Sequence, residues 1–233
     1  MKKALIIGAH PDDCEYAAGG CVALLVGQGW EVHFLIVTDG SKGSPDINLD
    51  AKAFALQRQQ EQRNAAKVLG IKSVEFMQEV DGEVQADRAF LEKMVGAIRR
   101  IRPWAVYTHF PNSLEYWAPE SSPRGKPRMS HRDHRVVGQT VMDAIYPAAR
   151  DCRNFPHQVR AGLATYKVRE LYLWGHPNPN HSVDITSVWT KKVDSLQAHV
   201  SQMPQDANLS ERWFDKWQES GIAREYFYQV SID

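Results

Sequence analysis

At 233 residues, 43% hydrophobic and 24% charged, the chain has the length and balance of one sizeable globular α/β domain. Lys plus Arg and Asp plus Glu are equal at 28 each, which excludes a net-charge attraction to nucleic acid or to an anionic membrane. No apolar stretch approaches the roughly 20 residues of a membrane span, and three cysteines without C-x-x-C spacing argue against a disulfide framework and for a reducing cytoplasm.

Met1-Lys2-Lys3 before an apolar run has the look of a signal start, but the run meets His10 and two acids too soon, so residues 4–9 read as a strand. A helix over 15–27 follows, its Ala/Gly-rich face suited to close packing on a sheet, and then a strand over 32–38 that ends in the turn 39–45. The pattern predicts a helix over 53–69 stopped by Gly70, a strand over 74–80, a helix over 88–101 broken before Pro103, and a strand over 105–109. Between 110 and 130 the periodicity lapses into prolines and scattered aromatics, the composition of a long loop beside a site. Beyond it, a helix is expected over 131–149, a strand over 171–174, a helix over 186–202, another starting near Ser210, and an edge strand over 226–230. Alternating strands and helices predict a mostly parallel sheet covered on both faces.

The most informative stretch is Ala9-His10-Pro11-Asp12-Asp13, at the end of the first strand and the start of its helix, where open α/β sheets carry their sites. Ser130-His131-Arg132-Asp133-His134, at the start of a later helix, adds two imidazoles and a carboxylate. His10, Asp13 and His134 would make a three-ligand site for a divalent ion with a position left for water; zinc suits the set, and Fe2+, Co2+ or Mn2+ is also served by it. Asp12 stands ready to take a proton from an attacking water, and His131, three residues before His134, to stabilise the oxyanion or protonate the leaving amine. Asp133 is placed to orient the His131 imidazole and raise its pKa. The plainer reading is capping: Asp12 and Asp13 at one helix start, and Ser130 with Asp133 in capping-box spacing at the other. The joint occurrence of both stretches at strand-to-helix junctions favours chemistry. Cys14 is expected to point away from the ion, and His109 either lines the pocket or is structural.

In these two motifs the chain resembles the PIG-L/LmbE-type zinc-dependent de-N-acetylases. Thr38-Asp39-Gly40, the Arg58-x-x-Glu61-x-x-x-Ala65-x-x-x-Leu69-Gly70 helix, and Val183-Asp184-Ile185-Thr186 with Lys192, Leu196, His199 and Gln202 extend the resemblance over most of the chain. It implies a Rossmann-like three-layer sandwich over 1–233 and zinc on His10, Asp13 and His134. It also implies Asp12 as general base, with His131 assisting the tetrahedral intermediate. Arg58 and Asp81 are carried over as contacts to the amino-sugar substrate, and a homo-oligomer, trimer or hexamer, is expected. The chain departs from the family in having Cys14 after the paired acids, Ser41 in the second turn and Met129 where some members carry Tyr. The activity so implied is hydrolysis of an N-acetyl group from an N-acetylglucosamine-type sugar or conjugate, releasing acetate. The alternatives are a nucleotide-sugar-binding α/β protein, against which stand the missing G-x-G-x-x-G and two acids that repel phosphate, and a metal-binding relative without catalysis.

Overall fold

A computed structural model describes residues 1–119, 122 and 125–232. The chain opens with β1 (Lys3–Gly8), α1 (Asp13–Gly27), β2 (Glu31–Thr38), α2 (Ala51–Leu69), β3 (Ser73–Glu79), α3 (Arg88–Ile101) and β4 (Ala105–His109). Then come the two-residue strands β5 (Leu114–Glu115) and β6 (Arg128–Met129), α4 (Arg132–Asp143), α5 (Pro156–Arg160), β7 (Glu170–Trp174) and β8 (His181–Asp184). The last elements are α6 (Trp189–Gln197), α7 (Leu209–Trp217), β9 (Gln218–Glu219) and β10 (Ile222–Ser231).

The main sheet runs β3-β2-β1-β4-β7-β10-β8, with β9 on β10; the first five strands are parallel and β10 is antiparallel to β7 and β8. Ala4, Leu5, Ile6 and Ile7 of β1 are all fully buried, because alternate side chains feed two separate cores. Leu5 and Ile7 join Val95 and Ile98 of α3 and Val137 and Val141 of α4 on one face; Ala4 and Ile6 join Ala17, Ala18 and Val22 of α1 on the other. A strand covered on both faces reads as a continuous apolar run rather than an alternation, and the result is a three-layer sandwich.

β2 and β3 lie to one side of β1 and β4 to the other, so the strand order reverses between β1 and β4. The crevice outside the carboxyl ends of those two strands is where a doubly wound sheet binds its ligand. His10 to Asp13 follow β1 directly, and His109 ends β4.

Three late elements differ from the sequence expectation. The helix expected over 131–149 stops at Asp143, and the widened turn Ala144–Ala148 carries Tyr146 in extended backbone, since the residue before a proline is driven out of the helical region by the pyrrolidine ring. The helix expected to reach 202 ends at Gln197, where side chains of α2 take over the backbone: Ser201 N donates to Glu61 Oε1 at 3.1 Å. The strand expected at an edge is interior, since residues 228–231 pair with β7 and residues 224–227 with β8, a four-residue strand without a readable period. Within the long 110–130 segment Leu114 pairs with Met129 in a small hairpin, while residues 120, 121, 123 and 124 lie outside the described residues. No described helix is long and apolar enough to cross a membrane.

Candidate active site

The β1–α1 junction brings the first acids together by an unusual backbone. Asp12 has φ 104° and ψ −25°, a left-handed conformation for a non-glycine residue, and its carboxylate caps nothing. Asp13 turns inward, its Oδ2 accepting the His10 N–H at 2.7 Å. The capping reading thus fails at Asp12, whose side chain is left for the pocket.

Asp13 is the hub. Oδ2 lies 3.4 Å from His10 Nδ1 and 3.3 Å from His109 Nε2, and Oδ1 lies 3.4 Å from His134 Nε2. The rings of His10 and His134 are 5.3 Å apart, and His131 lies 4.6 Å from His10 and 5.5 Å from His134. The donor atoms of His10, His131 and His134 all lie within 4.8 Å of one another, as do those of Asp13, His109 and His134, and those of His10, Asp81 and Asp133. The set His10, Asp13, His134 straddles the first two clusters, which share His134.

These residues fit a divalent cation. His10 Nε2 is buried without a well-formed hydrogen bond, although Asp81 Oδ1 and Asp133 Oδ2 lie 3.2 and 3.4 Å away. His134 Nδ1 lies 3.1 Å from Glu115 Oε2, a carboxylate that fixes a proton on Nδ1 and leaves Nε2, on the Asp13 side, as the nitrogen that would ligate an ion. Mixed imidazole and carboxylate donors of this kind suit zinc-type ions.

Electrostatics separate the two aspartates. Burial and the neighbouring Asp13 charge push the Asp12 carboxyl up to about 6 against the pull of Arg58. Asp13 is also buried, but His134 and His109 hold it well below the usual carboxylate range. Burial lowers His134, yet Asp13 and Glu115 bring it to about 9. His10 is raised in spite of burial by Asp13, Asp133 and Asp81. His109 goes the other way: burial and His134 lower it to about 3, the Trp174 indole N–H donates to its Nδ1 at 3.0 Å, and its ring stacks on His134 at 4.0 Å. It is a neutral ring that braces Asp13 and His134 from behind.

Asp133 takes a different position from the expected one. Its backbone N–H, not its carboxylate, meets His131, donating to Nδ1 at 3.2 Å, so that His131 rather than Ser130 caps α4. The carboxylate is fully buried, accepting from Gly82 N at 2.7 Å and facing His10. The expected rise in the His131 pKa is reversed, because burial and the His10 and His134 charges outweigh Asp133. With Nδ1 accepting, the neutral ring carries its proton on Nε2.

Arg58 is buried on α2, donating to Pro11 O at 2.6 Å, Gly40 O at 3.0 Å and Asp12 Oδ2 at 3.1 Å. Asp81 Oδ2 accepts from Lys42 N at 3.1 Å. Both line a pocket of about 340 Å3 with His10, Asp12, Lys42 and His131. The Arg58 and Lys42 side chains in its wall are paired, Arg58 with Asp12 and Lys42 with Glu83 at 2.6 Å. Glu115, in the aperiodic segment, and Gln62, one of many polar residues on an amphipathic helix, gave no sequence signal; only pairing of β5 with β6 and packing of α2 bring them in.

The family described as GlcNAc-PI de-N-acetylase, PIG-L, matches residues 5–145. The diacetylchitobiose deacetylase of Thermococcus kodakarensis is 31% identical over 206 residues, 88% of this chain and 72% of that protein. The 4-oxalmesaconate hydratase of Pseudomonas putida is 27% identical over 211 residues, 87% of this chain and 74% of that one. Among solved structures, the N,N'-diacetylchitobiose deacetylase from Pyrococcus horikoshii in complex with an inhibitor superposes with a TM-score of 0.83 at 27% identity, covering 99% of this chain and 84% of that chain. A doubly wound sheet whose β1/β4 crevice gathers Asp12, Asp13 and the imidazoles of His10, His131 and His134 defines an α/β protein with donors suited to a divalent ion. The chain belongs to the PIG-L family of de-N-acetylases.

Proposed function

We propose that this protein is a zinc-dependent hydrolase that removes the N-acetyl group from an N-acetylglucosamine-type sugar, releasing acetate and a free amine. The observation that carries this reading is the Asp13-centred cluster of imidazoles with a second, uncapped carboxylate, Asp12, on the wall of the same pocket. His10, Asp13 and His134 would hold the ion, which as a Lewis acid polarises a carbonyl and lowers the pKa of water toward about 7.

The chain's own groups account for the proton movements. Asp12 accepts a proton from the water whose oxygen bonds to the acetyl carbon, and its elevated pKa suits a group that must take a proton and return it near neutrality. His131 offers Nε2–H to the carbonyl oxygen as charge builds there. The carbon–nitrogen bond breaks as the proton held by Asp12 passes to the leaving nitrogen. With Arg58 and Lys42 already paired, a neutral sugar is favoured over an anionic conjugate, with Asp81 on the wall as an acceptor for sugar hydroxyls. Unpaired thiols at Cys14, Cys21 and Cys152 fit a reducing compartment.

The test is acetate and amine release from N-acetylglucosamine and its β-linked dimer by zinc-loaded protein, before and after chelation, with 4-oxalmesaconate hydration as the competing assay. Activity should vanish on chelation and return with metal. Asp12→Asn should keep the metal and lose about 1000-fold in kcat, within the range for removing an acid–base group. Hydration without acetate release, or an Asp12→Asn variant of undiminished activity, would overturn the reading.

A further inference from the structure

The left-handed conformation of Asp12 needs a cause, since an L-residue at φ 104° is strained and persists only where its surroundings impose it. The surroundings here are two side chains of α2. Arg58 Nη2 donates to Pro11 O at 2.6 Å, and Gln62 Oε1 accepts from Asp12 N at 3.1 Å. Those two backbone groups are opposite ends of a single peptide unit, whose C=O and N–H point in opposite directions. Arg58 and Gln62 stand four residues apart, one above the other on the same helix face. Together they grip the Pro11–Asp12 plane at both ends, and the tilt of that plane is what sets φ at Asp12.

Gln62 can serve only in one orientation, and a buried chain of groups selects it. Its Nε2 donates to Glu15 Oε1 at 2.5 Å, and Glu15 Oε2 lies 3.5 Å from His199 Nε2. Gln62, Glu15 and His199 are each fully buried. A carboxylate accepts and does not donate, so the amide nitrogen must face Glu15, and the amide oxygen is left facing the Asp12 N–H.

We propose that Gln62 is a positioning residue for the general base, clamping the Pro11–Asp12 peptide with Arg58 so that the Asp12 carboxylate faces the pocket instead of capping α1. The proposal rests on Asp12 acting as the base. Among the described residues Gln62 hydrogen-bonds Asp12 N and Glu15 rather than a proposed metal ligand, and it does not line the pocket, so its effect falls on turnover and not on binding.

Gln62→Met removes both ends of the amide at similar size. It is expected to bind zinc with unchanged stoichiometry and to keep KM, while kcat falls about 100-fold, the scale of a misplacement near 1 Å. Gln62→Asn leaves the oxygen about 1.5 Å short in a side chain that stays polar, and is expected to show the same split. Gln62→Glu keeps the acceptor for Asp12 N and, sharing one proton with the Glu15 carboxylate, the bridge to Glu15; it should recover most of kcat. A structure of the Met variant should show φ at Asp12 relaxed from 104°. Folded, zinc-loaded Met or Asn variants with full kcat would overturn the proposal, as would equal losses in all three. Asp12→Asn, measured alongside, separates the two claims: if it is inactive while Gln62→Met turns over normally, the base stands and the clamp falls; if it is active, the base itself is wrong.

Discussion

Gly138→Ala sets two physical effects against each other with opposite signs. Gly138 sits in α4, where alanine is the better helix former by about 1 kcal/mol, so propensity alone predicts a more stable protein. A Cβ there would lie 2.3 Å from His109 O, 3.1 Å from His109 C and 3.3 Å from Pro111 N. All three are backbone atoms, so no rotamer change relieves the contact, and α4 must retreat at least 0.7 Å from β4 to reach a 3.0 Å separation. Overpacking costs about 1–3 kcal/mol, and an obstacle of rigid backbone puts this case at about 2–3 kcal/mol, which leaves a net loss of about 1–2 kcal/mol after the propensity gain. At 2–4 °C per kcal/mol for a chain of this size, Tm should drop by roughly 2–8 °C. His134 stands one turn before Gly138 on the same face, so the retreat widens its 3.4 Å approach to Asp13 and its 4.0 Å stacking on His109. Deacetylation should fall about 100-fold in kcat/KM, with weaker zinc binding. Gly27→Ala, with nothing within 4 Å of its added carbon, is the matched control and should leave both quantities intact. Calorimetry, zinc titration and acetate release on the two variants decide the matter. A Gly138→Ala protein with a Tm at or above wild type and full activity would show that the close approach of α4 to β4 does not build the site.

Glu115→Ala removes the carboxylate beside His134 Nδ1 and should weaken zinc binding 10- to 100-fold, read by competition with a chromophoric chelator; unchanged affinity would remove Glu115 from the site. Lys192 is fully buried, donating to Glu15 O, to Tyr16 O and to the Glu225 carboxylate, which in turn accepts from the α1 amides Gly20 N and Cys21 N. Lys192→Met strands that carboxylate and should destabilise by about 3–5 kcal/mol in urea melts. The double variant Lys192→Met with Glu225→Gln keeps an acceptor for one of the two α1 amides without a buried charge, and should regain part of the loss. A double variant no more stable than the single one would mean that packing, and not charge, governs this joint.

The sequence by itself determined most of the local elements through β4 and marked the residues proposed for chemistry. Mainly apolar runs of four to seven residues placed β1, β2, β4 and β7 within a residue of their ends, because a strand buried on both faces must be largely apolar, and β3, only partly buried, was placed equally well. Glycine at 70, with φ 80°, ended α2 as expected. His10, Asp12, Asp13, His131 and His134 stood out as candidates because two polar clusters at strand-to-helix junctions have no core role. The tertiary structure alone decided the rest. Asp133 turned beneath His10 instead of orienting His131, Glu115 arrived through a two-residue strand pair, and Arg58 and Gln62 closed on a peptide 46 to 51 residues away in the chain. Sequence pattern records which face of an element is apolar, a property repeated every two or nearly four residues. The partner of a single polar side chain leaves no such period: it depends on crossing angles and on angstrom-scale approaches such as that of Gly138 to His109, which only the packed chain defines.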